Sequence, residues 1–325
     1  MNLPRRKFLQ FAAGAAALPA LPRAATAQAY PTRPVRIIVG YAPGGQVDIV
    51  ARLIGQWLSE RLGQPFVIEN RPGATTNIAT EAVVRAPADG YTLLSVGASQ
   101  AISATLFNKL NFHLISDITP VAGILVMSSI MVVSPSVPAT TVPEFVAYAK
   151  AHAGKLNMAS SGIGSPSHVC GELFKMLTGV NMVHVPYRGA ALALTDLFAG
   201  QVQVYFSPTP AAIEYVRAGK LRALAVTTAA RSEALPDIAT VAESVPGYEA
   251  SIWQGIGAPK DTPPEIVEKL NREINAGLAD AKLKARLADL GGTVLPSSPG
   301  DFGKLIADET EKWAKVIKFA GLKPD

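Results

Sequence analysis

Cysteine is all but missing. Cys170 is the only one in 325 residues. No intramolecular disulfide can form, and no cysteine-based metal site. The residue sits in "SHVCGELF" on a helical apolar face, which reads as a small buried side chain and not as a nucleophile. Long apolar runs are missing too. Beyond the first 29 residues no stretch reaches membrane-spanning length without proline, glycine or charge. An excess of charge is also absent once the chain is divided. The formal net charge is +5, from 30 basic and 25 acidic residues. Residues 1–29 hold four of the basic residues and none of the acidic ones. The remainder has 26 basic against 25 acidic, a net of +1. Nucleic acid is therefore not implied as a partner.

What is present begins with that segment, "MNLPRRKFLQFAAGAAALPALPRAATAQA". It has a basic start, a weakly apolar middle and a small-residue end at Ala27-Gln28-Ala29. This is the layout of a bacterial export signal, with cleavage expected after Ala29. "RRKFLQ" carries the twin-arginine pattern. The run is too short for an anchor, and Pro19 and Pro22 interrupt it. The exported chain is expected in the periplasm. Its length suits about two domains, and 49% hydrophobic with 17% charged residues suits a globular chain.

Strand-like and helix-like segments then alternate. "VRIIVGY" precedes a helix at 46–62, "PFVIENRP" one near 77–86, and "YTLLSVG" one at 100–109. "IMVVSPS", "LNMASSG", "MVHVPY" and "VQVYFSP" each lead to a further helix, and "LRALAVT" closes the series. Such alternation predicts an α/β fold with mostly parallel sheets flanked by helices. Gly63, Gly179, Gly200 and Gly219 stand where helices should stop. A helix is predicted over 263–277. The tail is amphipathic, with Phe302, Leu305, Ile306, Trp313, Ile317 and Phe319 as packing residues.

Four strand-to-helix loops carry polar or small residues, and in parallel sheets all would lie beyond the strands' carboxyl ends, where ligands gather. The first is "YAPGGQVDIVARL". Val47, Val50, Ile54, Trp57 and Leu58 would pack its helix. The first N–H groups of that helix lack partners and carry partial positive charge. Pro43, Gly44 and Gly45 leave them open to an anion, or else make an ordinary chain reversal. The second loop is "ASSGIGSPSHVCGELF", with Ser165 a natural N-cap and Pro166 a natural first helical residue. His168 in its first turn is expected neutral, either donating to a ligand or bonding a neighbouring loop. The spacing matches neither a nucleophile elbow nor a phosphate-cradling loop. The third, "VPYRGAA", offers Tyr187 and Arg188. Arg188 could grip a carboxylate or lie exposed. The fourth, "YFSPTPAA", offers Ser207 and Thr209.

Together "YPTRPVRIIVGYAPGGQVDIVARLIGQWL", "ENRPGATTNIATEAVVRAPADGYTLL", "ASSGIGSPSHVCGELFKMLTGVNMVHVPYRGAALALTDLFAGQV" and "AGKLRALAVTTAARSEALPDIATVAESVPGYEA" resemble the Bug family, TctC-like receptors of tripartite tricarboxylate transporters. The resemblance covers essentially the whole exported chain. It implies a two-lobed, type II periplasmic-binding fold, here with 30–129 plus 250–325 as one lobe and 130–249 as the other. It further implies a small organic carboxylate held by two loops acting as pincers, and membrane transporter subunits as partners. Carried onto this chain, the binding residues are Tyr41, Ala42, Pro43, Gly44, Gly45 and Asp48, then Ser161, Gly162, Gly164, Ser165 and His168. Ser99, Tyr187 and Ser207 are further carry-overs. No cofactor and no metal are implied, and the expectation is a monomer. Two departures bear on the ligand. Ser207 stands where the family often has an acid, which disfavours amino-acid ligands. Thr75-Thr76 stands where it often has a glycine pair.

Two other functions share these features. A sensor for a signalling partner would need the same lobe closure. A secreted hydrolase would need Ser165, His168 and Asp48 within mutual hydrogen-bond reach, for which the spacing gives no reason.

Overall fold

The computed structural model describes residues 30–107 and 109–324. The export segment and its cleavage after Ala29 lie outside the described residues.

The strands are β1 (Val35–Val39), β2 (Phe66–Asn70), β3 (Thr92–Gly97), β4 (Ile118–Val133), β5 (Asn157–Ser160), β6 (Val183–Pro186), β7 (Val204–Pro208), β8 (Arg222–Val226), β9 (Ser251–Pro259) and β10 (Gly292–Val294). Helices that bear on the site are α1 (Gln46–Leu62), α2 (Asn77–Val84), α3 (Ala98–Leu106), α4 (Pro166–Thr178) and α5 (Pro299–Ala320). The sheet path runs β2-β1-β3-β9-β4-β7-β5-β6, with β8 and β10 also paired to β4. Only β1–β2, β1–β3, β5–β6 and β5–β7 are parallel. The pairings of β4 with β7, β8, β9 and β10, and of β3 with β9, are antiparallel. The sheet is therefore mixed, a correction to the mostly parallel sheets expected.

The cause is β4. The segment read as "IMVVSPS" is the end of a 16-residue strand, nearly all of it buried. A strand covered on both faces reads as a continuous apolar run and shows no alternation. From Ile118 to Ser128 it pairs with β9, and from Ser129 to Val133 with β7. It is thus the shared strand of two half-sheets. The return crossing is pinned at the same level. Thr227 N–H donates to Ser129 O at 3.0 Å, Ser129 N–H to Thr227 Oγ1 at 2.9 Å, and Ala250 N–H to Thr227 O at 2.9 Å.

The packing follows the predicted faces with small changes. In α1, Val50, Ile54 and Leu58 are buried, while Val47 and Trp57 are half-buried. Gly63 and Gly179 close α1 and α4 in the left-handed region, with φ of 72° and 68°. Cys170 is buried, and its thiol is pushed up to about 12 by that burial. In α5 Phe302, Ile306, Trp313 and Ile317 are buried, but Phe319 is 55% exposed. It lies two residues after the buried Ile317, on the opposite side of the helix. Among the described residues no helix is long and apolar enough to cross a membrane.

Candidate functional site

The loop after β1 is positioned by one carboxylate. Asp48, in the first turn of α1, is 1% exposed. Its Oδ2 accepts from Gly44 N–H at 2.9 Å, and Arg52 donates to both oxygens at 2.9 Å. Asn70 at the end of β2 donates to Asp48 Oδ1 at 2.8 Å and to the Tyr41 carbonyl at 3.0 Å. Burial works to raise the Asp48 carboxyl. The hydrogen bonds from Arg52, Gly44 and Asn70 outweigh it and hold the group below its ordinary value. Gly44 has φ of 81°, which favours glycine. Gly45 does not: its φ is −75°, and an added Cβ would come no nearer than 3.7 Å to Ala42 O. Ala42, Pro43, Gly44 and Gly45 are all exposed.

The loop after β5 is positioned by many neutral groups. Ser165 caps α4, donating to Gly162 O at 2.7 Å and accepting from His168 N–H. Ser161 N–H donates to Ser167 Oγ at 2.9 Å, and Gly162 N–H to Ser160 Oγ at 3.1 Å. Gly164 N–H donates to His168 Nδ1 at 3.1 Å, which places the proton of the neutral ring on Nε2. His168 is buried, stacked on His184 at 3.5 Å between centroids, and His184 Nε2 shares a 2.7 Å hydrogen bond with Ser160 Oγ. Ser161 Oγ shares one of 2.6 Å with the buried Tyr205 hydroxyl.

The two loops face each other. Tyr41 and Ala42 of the first, and Ser161, Gly162 and Ser165 of the second, line one cleft of about 310 Å³. Ser99 lines it too, accepting a hydrogen bond from the Tyr41 hydroxyl. None of its lining residues is charged. Pro43, Gly44, Gly45, Asp48, Gly164 and His168 are in the loops but not in this lining. Tyr187 and Ser207 are not in this lining either. The Tyr187 hydroxyl donates to Asp196 at 2.7 Å, and burial followed by Asp196 pushes it up to about 12. Ser207 is fully buried and turns its hydroxyl to Pro208 O. Arg188 is exposed.

Sequence reasoning passed over a third wall, Pro72, Gly73, Thr75 and Thr76. Ala74, Thr75 and Thr76 have φ of 45°, 50° and 73°, three successive non-glycine residues in left-handed backbone. The cue was the departure from a glycine pair at Thr75-Thr76.

No triad forms from the serine, imidazole and acid considered. Ser165 is bound to Gly162, the His168 ring to Gly164, and Asp48 to Arg52 in the opposite half. What the fold builds is a receptor, a cleft between two half-sheets joined at one strand, walled by small and hydroxyl-bearing residues. The comparisons agree. Residues 50–322 match the family described as tripartite tricarboxylate transporter family receptor, TctC. Protein BugT of Bordetella pertussis is 36% identical over 301 residues, 92% of each chain. A protein of R. palustris solved with adipate is 38% identical, with a TM-score of 0.78 over 91% of this chain and 100% of its own. MatC of Rhodopseudomonas palustris, solved with malate, is 33% identical, with a TM-score of 0.74 over 89% of this chain and 100% of its own. The chain belongs to the tripartite tricarboxylate transporter receptor family. It is a solute-binding protein of the TctC/Bug type, and its relatives are binding receptors, not enzymes.

Proposed function

We propose that this chain, exported and cleaved after Ala29, captures a small organic carboxylate in the periplasm as a monomer and passes it to the membrane subunits of a tripartite tricarboxylate transporter. The observation that carries the reading is the uncharged cleft between the loops at 41–48 and 160–168, each ending at a helix start. Helix N-termini and hydroxyls hold a carboxylate without a lysine or arginine. In this reading Tyr41, Ala42, Ser99, Ser161, Gly162 and Ser165 touch the ligand, Gly44 and Gly45 let it approach the α1 N-terminus, and Asp48, Gly164, His168, Tyr187 and Ser207 hold the loops. The lobes, 30–129 with 250–325 and 130–249, close about the crossing at Ser128–Ser129 and Thr227. That the solved relatives carry adipate and malate supports the ligand class.

Isothermal titration with citrate, succinate, adipate, nicotinate and phthalate, against glutamate and ribose, tests the reading. At least one carboxylate without an amino group binds, and at a hundred times its dissociation constant adds about 2.7 kcal/mol of stability. Gly45→Val weakens that binding at least tenfold with an unchanged melting temperature, since the backbone accepts a side chain there and only the ligand's approach is blocked. Binding of ribose or an amino acid alone refutes the carboxylate assignment.

A further inference from the structure

The third wall of the cleft is built on backbone that L-residues seldom adopt. Ala74, Thr75 and Thr76 follow one another at φ of 45°, 50° and 73°. In this left-handed region Cβ crowds the following carbonyl, and a β-branched side chain there is an outlier. Such a run persists only where its surroundings hold it, and it is found where ligands are clamped.

Packing and position account for two of the three residues. Thr76 is 2% exposed, and a Cβ added to Gly40, just past β1, would lie 2.7 Å from Thr76 Cβ. Thr76 therefore fills the space that this glycine leaves. Its carbonyl accepts from Thr80 Oγ1 at 3.1 Å, and Asn77 Oδ1 accepts from Ser103 Oγ at 2.8 Å, which ties the end of the wall to α2 and α3. Ala74 is exposed and outside the cleft lining. Thr75 differs from both. It lines the cleft and is only half-buried.

The other hydroxyls of that lining sort clearly. Tyr41 and Ser99 bond each other, Ser161 shares a hydrogen bond with Tyr205, and Ser165 donates to Gly162 O. The Thr76 hydroxyl has no partner but is enclosed. Among the described residues the Thr75 hydroxyl has no hydrogen-bond partner either, and Thr75 keeps surface on the cleft. The fold thus holds a β-branched residue in costly backbone, gains no internal hydrogen bond from it, and presents it where a ligand would sit.

We propose that Thr75 is a ligand-binding residue whose hydroxyl donates to an oxygen of the bound carboxylate, and that the left-handed backbone is kept in order to hold it there. The inference rests on the carboxylate reading above. A hydroxyl donating to a carboxylate makes a charge-assisted bond without a cation. Backbone already set before the ligand arrives lowers the ordering cost of binding.

The test sets affinity against stability in three variants. Citrate, succinate, adipate, nicotinate and phthalate are titrated into the wild type, and the tightest binder is then titrated into Thr75→Ser, Thr75→Val and Thr75→Gly. Thr75→Ser keeps the hydroxyl and binds within about twofold of wild type. Thr75→Val keeps the shape and the strain but loses the hydroxyl, and binds about tenfold more weakly. Thr75→Gly also binds about tenfold more weakly, yet its melting temperature stays level or rises by about 2 °C, because glycine accepts this backbone. Affinity then follows the hydroxyl while stability follows the strain, a split that a purely structural residue would not give. Wild-type affinity in Thr75→Val, or a lower melting temperature in Thr75→Gly, overturns the inference and leaves the carboxylate reading standing. If none of the five acids binds and glutamate or ribose does, the carboxylate reading falls, and with it the carboxylate oxygen as the partner of Thr75.

Discussion

The two loops that meet across the cleft reach similar positions by opposite means. The first hangs on one buried charge. Asp48 gathers Gly44, Arg52 and Asn70, and the residues between Tyr41 and Gln46 are otherwise exposed. The second has no such centre. Ser160, Ser165, Ser167, His168 and His184 share the task, and the N–H groups of Ser161, Gly162 and Gly164 are spent inside the loop. A charge-centred loop concentrates its stability in one side chain and leaves its backbone free to meet a ligand. A hydroxyl network spreads its stability and offers a finished surface. Under the proposed function, the first loop is the one whose backbone meets the anion, and the second the one whose side chains shape the wall.

This contrast can be broken most strongly at Asp48. Asp48→Ala removes hydrogen bonds to a charged group and orphans the Gly44 N–H, at a cost of about 2 kcal/mol after allowing for the half-exposed Arg52. In a chain of this size the melting temperature falls by about 4–8 °C. A fall of under 1 °C would show that the loop does not depend on its charge. Ser165→Ala strikes the network instead. It removes an N-cap worth about 1 kcal/mol, with the remaining serines holding the loop. A loss as large as that of Asp48→Ala would mean that the second loop also has a single keystone.

The smallest effect is a pH slope that separates the loops. Burial, followed by the neighbouring His168 ring, lowers His184 from 6.5 to about 4, with Lys175 adding to the shift and Glu172 opposing it. The folded protein keeps this ring neutral where the unfolded chain protonates it. Its contribution is complete above about pH 6.5 and is lost as pH falls toward 4. Asp48, also held below its ordinary value, works in the same direction but at lower pH. Its contribution is present above the ordinary carboxylate range and is lost only as pH falls through the lower folded value. Acid should therefore loosen the second loop before the first. Melting curves from pH 7 to 4 for the wild type and His184→Gln check this; the same slope in both would assign the acid sensitivity elsewhere.

Much of this was legible in the chain. Helix starts and stops at Gly45, Gly63, Ser165 and Gly179 are local, because capping needs only the neighbouring residues. Both loops could be found from their small residues between an apolar run and a helical pattern. Less legible were contacts between distant segments. Asn70 bonding Asp48, Tyr205 behind Ser161, and the ring of His184 on that of His168 span gaps that no periodicity encodes.

By itself, then, the sequence determined most of the strands and helices (but not the first part of β4 or β9), where the two loops lie, and which family the chain resembles, since these depend on local spacing and on motifs. Tertiary structure alone decided that one strand, Ile118–Val133, serves both half-sheets and makes the sheet mixed. An apolar run buried on both faces carries no mark of which neighbour it will pair with or in which direction. Tertiary structure also decided that Asp48 holds the first loop through Gly44 and Asn70, and that Gln254, more than 200 residues away in sequence from Val47, bonds the first turn of α1. A side chain's role there is set by which polar groups remain unpaired after the backbone is folded, and that count exists only in three dimensions.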